Sequence, residues 1–243
     1  MTAPAAVGLS TAAIELIGVS KHFGAGTTAV QALDAVSLRI ERSEFVALMG
    51  PSGCGKSTLL HIAGGLEPPT AGRVLVNGRD LSDLDLAGLA ALRRNEVAFV
   101  FQRLNLLAAL TALENVALPL ELDGVPVKAA RAAAREALAA VGLTQQLDRF
   151  PDDFSGGQQQ RIAIARAIAG PRSLVLADEP TGALDTRTGD QVIEVLARLP
   201  ERFGTSVVLV THEPRFASWT DRVVFLRDGR VVDQASASLA AAR

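Results

Sequence analysis

Two hydrophobic patterns alternate along this chain. Residues 45–49, 173–177 and 206–211 are short, nearly unbroken apolar runs. Such runs predict strands buried on both faces, the pattern of a parallel sheet covered by helices. Residues 57–63, 158–169 and 187–199 show helical spacing, with Ser155 placed to cap the second of them. Strand and helix alternating in this way predict an α/β core. Toward the N-terminus, residues 13–19, 35–40 and 73–76 read as further strands, with turn signals such as Gly24-Ala25-Gly26 between them. From Leu104 to about Phe150 the character turns helical. Thr111-Ala112-Leu113-Glu114 has the form of a capping box, and residues 128–141, rich in alanine and arginine, run from near Pro126 to Gly142. This stretch predicts a small helical lobe inserted into the core. Residues 223–232 carry an Asp228-Gly229 hairpin signal.

Composition adds limits. A hydrophobic fraction of 49% with 21% charged residues describes an ordinary globular chain. The net charge of −2 gives no global pull toward nucleic acid, so no nucleic-acid partner is expected. One cysteine, Cys54, excludes an internal disulfide framework and a cysteine-rich metal site. No apolar segment approaches the ~20 residues that span a bilayer, and Met1–Gly8 lacks the basic region of a secretory signal. Residues 1–11 are expected to be a disordered lead-in. Residues 235–243 are expected to be a tail of similar composition, able to extend a terminal helix.

Candidate chemistry is concentrated in Gly50-Pro51-Ser52-Gly53-Cys54-Gly55-Lys56-Ser57, followed by Thr58, which fits the G-x-x-x-x-G-K-[ST] phosphate loop. The buried strand before it and the helix after it supply the context the motif needs. Glycines let backbone N–H groups wrap polyphosphate, and the helix N-terminus adds partial positive charge. Lys56 reaches terminal phosphates, and Ser57 offers a hydroxyl to Mg²⁺. Only three lysines occur in the chain, which makes a chance match improbable. Asp178 and Glu179 follow directly on an apolar strand, where α/β sheets place ligand chemistry. Asp178 suits Mg²⁺, and Glu179 suits a base that orients or activates water; a plain polar strand end before Pro180 is the alternative. Ser155-Gly156-Gly157-Gln158 opens a helix and makes either a second anion-binding end or a simple cap.

Taken in order, these motifs resemble the ATP-binding-cassette (ABC) transporter ATPases over nearly the whole chain. The phosphate loop matches Gly50–Ser57, the signature matches Ser155-Gly156-Gly157-Gln158, and the Walker B strand with its carboxylate matches the run ending in Asp178-Glu179. The Q-loop glutamine falls on Gln102, the D-loop on Gly182-Ala183-Leu184-Asp185, and the switch histidine on His212. The resemblance implies an α/β fold: a P-loop NTPase (RecA-like) core with an N-terminal antiparallel β subdomain and an inserted helical subdomain. It implies core segments 12–102 and 156–234 around a helical segment 103–155. ATP and Mg²⁺ are the implied cofactors. ATP is sandwiched between the phosphate loop of one subunit and the signature of a second, most simply in a homodimer. By the same resemblance His212 contacts the γ-phosphate, Gln102 senses Mg²⁺ and the attacking water, and Asp185 helps form the interface. Phe23 stands where the family stacks an aromatic ring on adenine, and Val30 flanks the base; with no tyrosine in the chain, no hydroxyl is available there. Phe154 replaces the usual leucine before the signature serine, and Asp152 and Asp153 lie beside it.

Phe101-Gln102-Arg103-Leu104-Asn105 and Glu114-Asn115-Val116-Ala117-Leu118-Pro119 resemble the lipoprotein-release, macrolide-export and cell-division subgroup. That implies a separate membrane permease of the cell-division or macrolide-export type, a coupling-helix groove around 104–122, and a peripheral place on the cytoplasmic face of the membrane. The expected work is export or lipid and lipoprotein extraction. The alternative is a regulatory ATPase that controls an extracytoplasmic enzyme through a non-transporting permease. A soluble ABC protein acting on DNA or ribosomes is the third class; it usually needs two cassettes or a long inserted arm, and this sequence has neither.

Overall fold

The computed structural model describes residues 12–24, 29–102 and 104–236. The expected lead-in, Ala25 and Gly26 of the expected turn, Arg103, and the tail from residue 237 lie outside the described residues.

Two sheets and a layer of helices build the fold. The central sheet has the order β10-β9-β3-β8-β7-β6. Its parallel strands are β3 (Phe45–Met49), β6 (Val97–Val100), β7 (Leu174–Asp178), β8 (Ser206–Val210) and β9 (Arg222–Arg227), closed at one edge by antiparallel β10 (Arg230–Ser236). Every residue of β3 and β8 is buried, as their unbroken apolar runs require. The second sheet is antiparallel, in the order β2-β1-β4-β5: β1 (Ala12–Phe23), β2 (Val30–Glu41), β4 (Ala71–Val76) and β5 (Arg79–Asp80).

Helix α1 (Lys56–Ala63) follows β3 and packs its Leu59, Leu60 and Ile62 between the sheets. Helix α2 (Leu86–Asn95) precedes β6. Helices α3 (Ala112–Leu122) and α4 (Val127–Ala140) pack on each other and on α5 (Gly156–Ile168), which also touches β6 and α6 (Thr186–Ala197). The α5 helix therefore joins the helical lobe to the core. A break at Arg198 and Pro200 separates α6 from the short α7 (Leu199–Phe203), so the helix expected over 187–199 is two elements. Ala235 and Ser236 continue β10 rather than extending a helix, because they pair with Val223 and Arg222. The Asp228-Gly229 turn has φ of 49° and 73°, the left-handed pair that a tight hairpin needs.

Candidate nucleotide site

The loop between β3 and α1 is wedged between two backbones. A methyl at Gly50 would lie 2.1 Å from the Leu226 carbonyl oxygen of β9, and one at Gly55 would lie 2.4 Å from that of Ala32 in β2. Both glycines, like Gly53, have positive φ, so close approach and backbone conformation both demand glycine. The turn after β9 braces the loop through Gly229 N–H donating to the Cys54 carbonyl at 3.1 Å. Cys54 is buried beneath the loop, and Pro51, Ser52 and Gly53 are exposed. Helix α1 starts at left-handed Gly55 with no side-chain cap, whereas α2, α3, α5 and α6 are all capped by a side chain. An uncapped N-terminus ringed by loop amides is a ready anion cradle.

Lys56 is buried, and its ammonium donates to the carbonyls of Gly50 at 2.8 Å and Pro51 at 2.9 Å. Thr58 is half-buried on the first turn. The Ser57 hydroxyl donates to Asp178 Oδ1 at 3.2 Å, joining the first turn of α1 to the end of β7. Burial raises the Asp178 pKa above the usual carboxylate value; the Ser57 hydrogen bond, His61 and Lys56 pull it back, while Glu179 pushes it up. Two oxygen donors on rigid backbone fit a hard cation such as Mg²⁺.

Glu179 has φ of 46°, rare for a residue with a side chain. That turn directs it away from the line of β7, with its carboxylate 3.6 Å from His212 Nδ1. His212 follows β8 and is largely exposed. The Gln102 amide lies against Gly182, where a methyl would come within 3.0 Å of Nε2. Phe23 and Val30 face each other at the turn end of the β1–β2 hairpin, both exposed, and Lys21 Nζ lies 5.0 Å from the Phe23 ring centre.

The Ser155–Gln158 group stands apart. No hydrogen bond, ion pair or ring contact among the described residues joins it to Gly50–Thr58, Phe23 or Val30. Ser155 Oγ accepts from Gln158 N–H at 3.4 Å, and Gln158 Oε1 accepts from Ser155 N–H at 3.0 Å. The side chains therefore close a capping box, which leaves the serine proton free to donate. Gly156 is exposed and Gly157 buried; a methyl at Gly157 would meet Thr188 Cγ2 at 1.9 Å. Asp185 caps α6 by accepting from Thr188 N–H at 3.1 Å, and its hydrogen bonds to Thr188 hold its pKa low. Phe154 is buried in the helical core under Arg149, and Asp152 and Asp153 are exposed.

The sequence carries no sign of Lys21 at the Phe23 ring or of Thr188 against Gly157, and points to Gly182 only within the D-loop match, not as the neighbour of Gln102.

Comparison with known proteins gives a consistent result. The ABC transporter family profile matches residues 33–182. The lipoprotein-releasing system ATP-binding protein LolD of Geobacter metallireducens is 48% identical over 219 residues, covering 90% of this chain and 97% of that protein. The macrolide export ATP-binding/permease protein MacB of Hyphomonas neptunium is 44% identical over 94% of this chain, which spans only 35% of that protein. A solved ATP-binding cassette, dimeric in a post-hydrolysis state bound to ADP and Pi, superposes with a TM-score of 0.85 at 42% identity, covering 92% of this chain and 98% of that one.

Proposed function

Because this chain belongs to the ABC transporter family of ATP-binding proteins, we propose that two copies close on ATP and that hydrolysis drives a separate membrane permease. The observation that carries this reading is that the uncapped start of α1 and the Ser155-capped start of α5 lie apart on one chain; in the proposal each supplies donors to one side of the same phosphate chain. Either end alone leaves a triphosphate partly in water; head-to-tail pairing of two copies surrounds it with donors.

In this reading Lys56 exchanges its hold on the Gly50 and Pro51 carbonyls for the terminal phosphates, and backbone N–H groups of Ser52–Thr58 bind their oxygens. Ser57, Asp178 and Gln102 hold Mg²⁺, which when bound offsets phosphate charge. Glu179 accepts a proton from the attacking water, and His212 beside it donates to the γ-phosphate. Phe23 stacks on adenine with Val30 at its edge. Ser155, Gly156, Gly157 and Gln158 of the second copy close the γ-phosphate side, and Asp185 lines the joint. The core segments 12–102 and 156–234 and the helical segment 103–155 remain part of the proposal.

The relatives point to a permease of the lipoprotein-release or macrolide-export kind, and to export or lipid and lipoprotein extraction as the work done. No helix among the described residues is long and apolar enough to cross a membrane; the place proposed for the chain is the cytoplasmic face, reached through that partner.

Glu179→Gln tests the reading. ATP binding should persist while phosphate release falls by about a hundredfold or more, and an ATP-dependent dimer should accumulate on size exclusion. Unchanged turnover would remove Glu179 from its role.

A further inference from the structure

Arg166 lies near the end of α5, half-buried. It donates from Nη1 to the Asn105 carbonyl and from Nη2 to the Leu104 carbonyl, each at 2.7 Å. Asn105 is left-handed, with φ of 49°, and both of its neighbouring carbonyls are gripped by the one planar fork. A little further on, fully buried Asn115 accepts from Leu107 N–H at 2.8 Å and donates to the carbonyls of Leu107, Leu110 and Thr111. The segment after Gln102 is thus tied to α5 first and to α3 second.

Gln102 has no such tie of its own. Its amide makes no hydrogen bond within the described residues and rests against Gly182. Its backbone leaves β6, which is fixed to β7 by the Val100–Ala177 pairing, and two residues later reaches the carbonyls held by Arg166.

We infer that Arg166 is a positioning residue: by holding the Leu104 and Asn105 carbonyls it sets the place of Gln102 and ties that place to α5. The other end of the same 13-residue helix carries Ser155 and Gly156, about 16 Å away at the rise of an α-helix. A shift of the signature end on pairing therefore reaches the Gln102 segment through one guanidinium. This rests on the reading of Gln102 as part of the reacting site.

The test uses the full chain as Arg166→Met, Arg166→Lys, Gln102→Ala and the double variant R166M/Q102A. Hydrogen exchange at Leu107, whose N–H is held by Asn115 just beyond the gripped carbonyls, should speed up at least about tenfold in R166M, with α5 amides unchanged. The kcat should fall about tenfold to a hundredfold with the ATP KM within about threefold. R166K, which keeps the charge but bonds one carbonyl at a time, should fall between; if R166M fails to fold, R166K carries the test alone. R166M/Q102A should be no slower than Q102A. Full kcat in R166M despite faster exchange, or losses that multiply in the double variant, would overturn the inference. Native turnover in Q102A would instead remove the reading of Gln102, while hydrogen exchange still reports whether Arg166 grips the loop.

Discussion

Asp178 shows how a site residue works against the stability of its own fold. Burial raises its pKa, so its charged form is disfavoured in the folded chain. For a carboxyl with a raised folded pKa, stability is fully present below the unfolded value and is lost as pH rises through the folded one. Asp178→Asn removes that loss. Without nucleotide, the variant should melt above the unaltered chain by roughly a few °C at pH 8, and the two should converge near about pH 4. Its ATP hydrolysis should fall at the same time. Thermal melts across pH provide the check, and an equal gap at both ends of the range would contradict the burial argument. The left-handed Glu179 is a second local cost, roughly 1–3 kcal/mol for such a conformation, and it sets the carboxylate beside His212.

Among the elements, α3 offers a clean measure of capping. Thr111 Oγ1 accepts from Glu114 N–H, and Glu114 Oε2 accepts from the Thr111 N–H and hydroxyl. These bonds, the backbone one first, lower the Glu114 pKa. Thr111→Ala should cost about 1 kcal/mol, read as a lower denaturant midpoint with unchanged slope. The T-x-x-E spacing made this cap legible in the sequence, as the unbroken apolar runs did for β3, β7 and β8. Strands β1 and β2 run longer than the expected 13–19 and 35–40 because Gly18 and Ala35 adopt positive φ, shifting the register and breaking the alternation. Helix α2 was not anticipated: of Leu86, Leu89 and Leu92 only Leu92 is buried, so its apolar stripe is weak. At the site, the loop, the two carboxylates and the signature were legible because each is contiguous. The Arg166 grip on Leu104 and the Ser57–Asp178 bond join residues far apart in sequence, and no local pattern announces them.

At the scale of the whole molecule, α5 is the piece that touches the helical lobe, the core sheet and α6 alike. Its contact with α6 has no slack, since a methyl at Gly157 would fall 1.9 Å from Thr188 Cγ2. Gly157→Ala should cost about 1–3 kcal/mol, seen as a lower melting temperature without nucleotide. Adding Thr188→Ala should recover much of the loss, and a G157A chain that melts like the original would disprove the close approach. Gly156 continues the contact, with a methyl there falling 3.5 Å from Leu184 Cδ2, one residue before Asp185. Ser155 and Asp185, each heading its own helix, are thus held in place relative to one another, so that the edge they form shifts as one piece. In the proposed pairing a second copy arriving at that edge would meet a surface with little conformational entropy left to lose, so the speed of assembly should be governed by orientation in collision rather than by ordering after it.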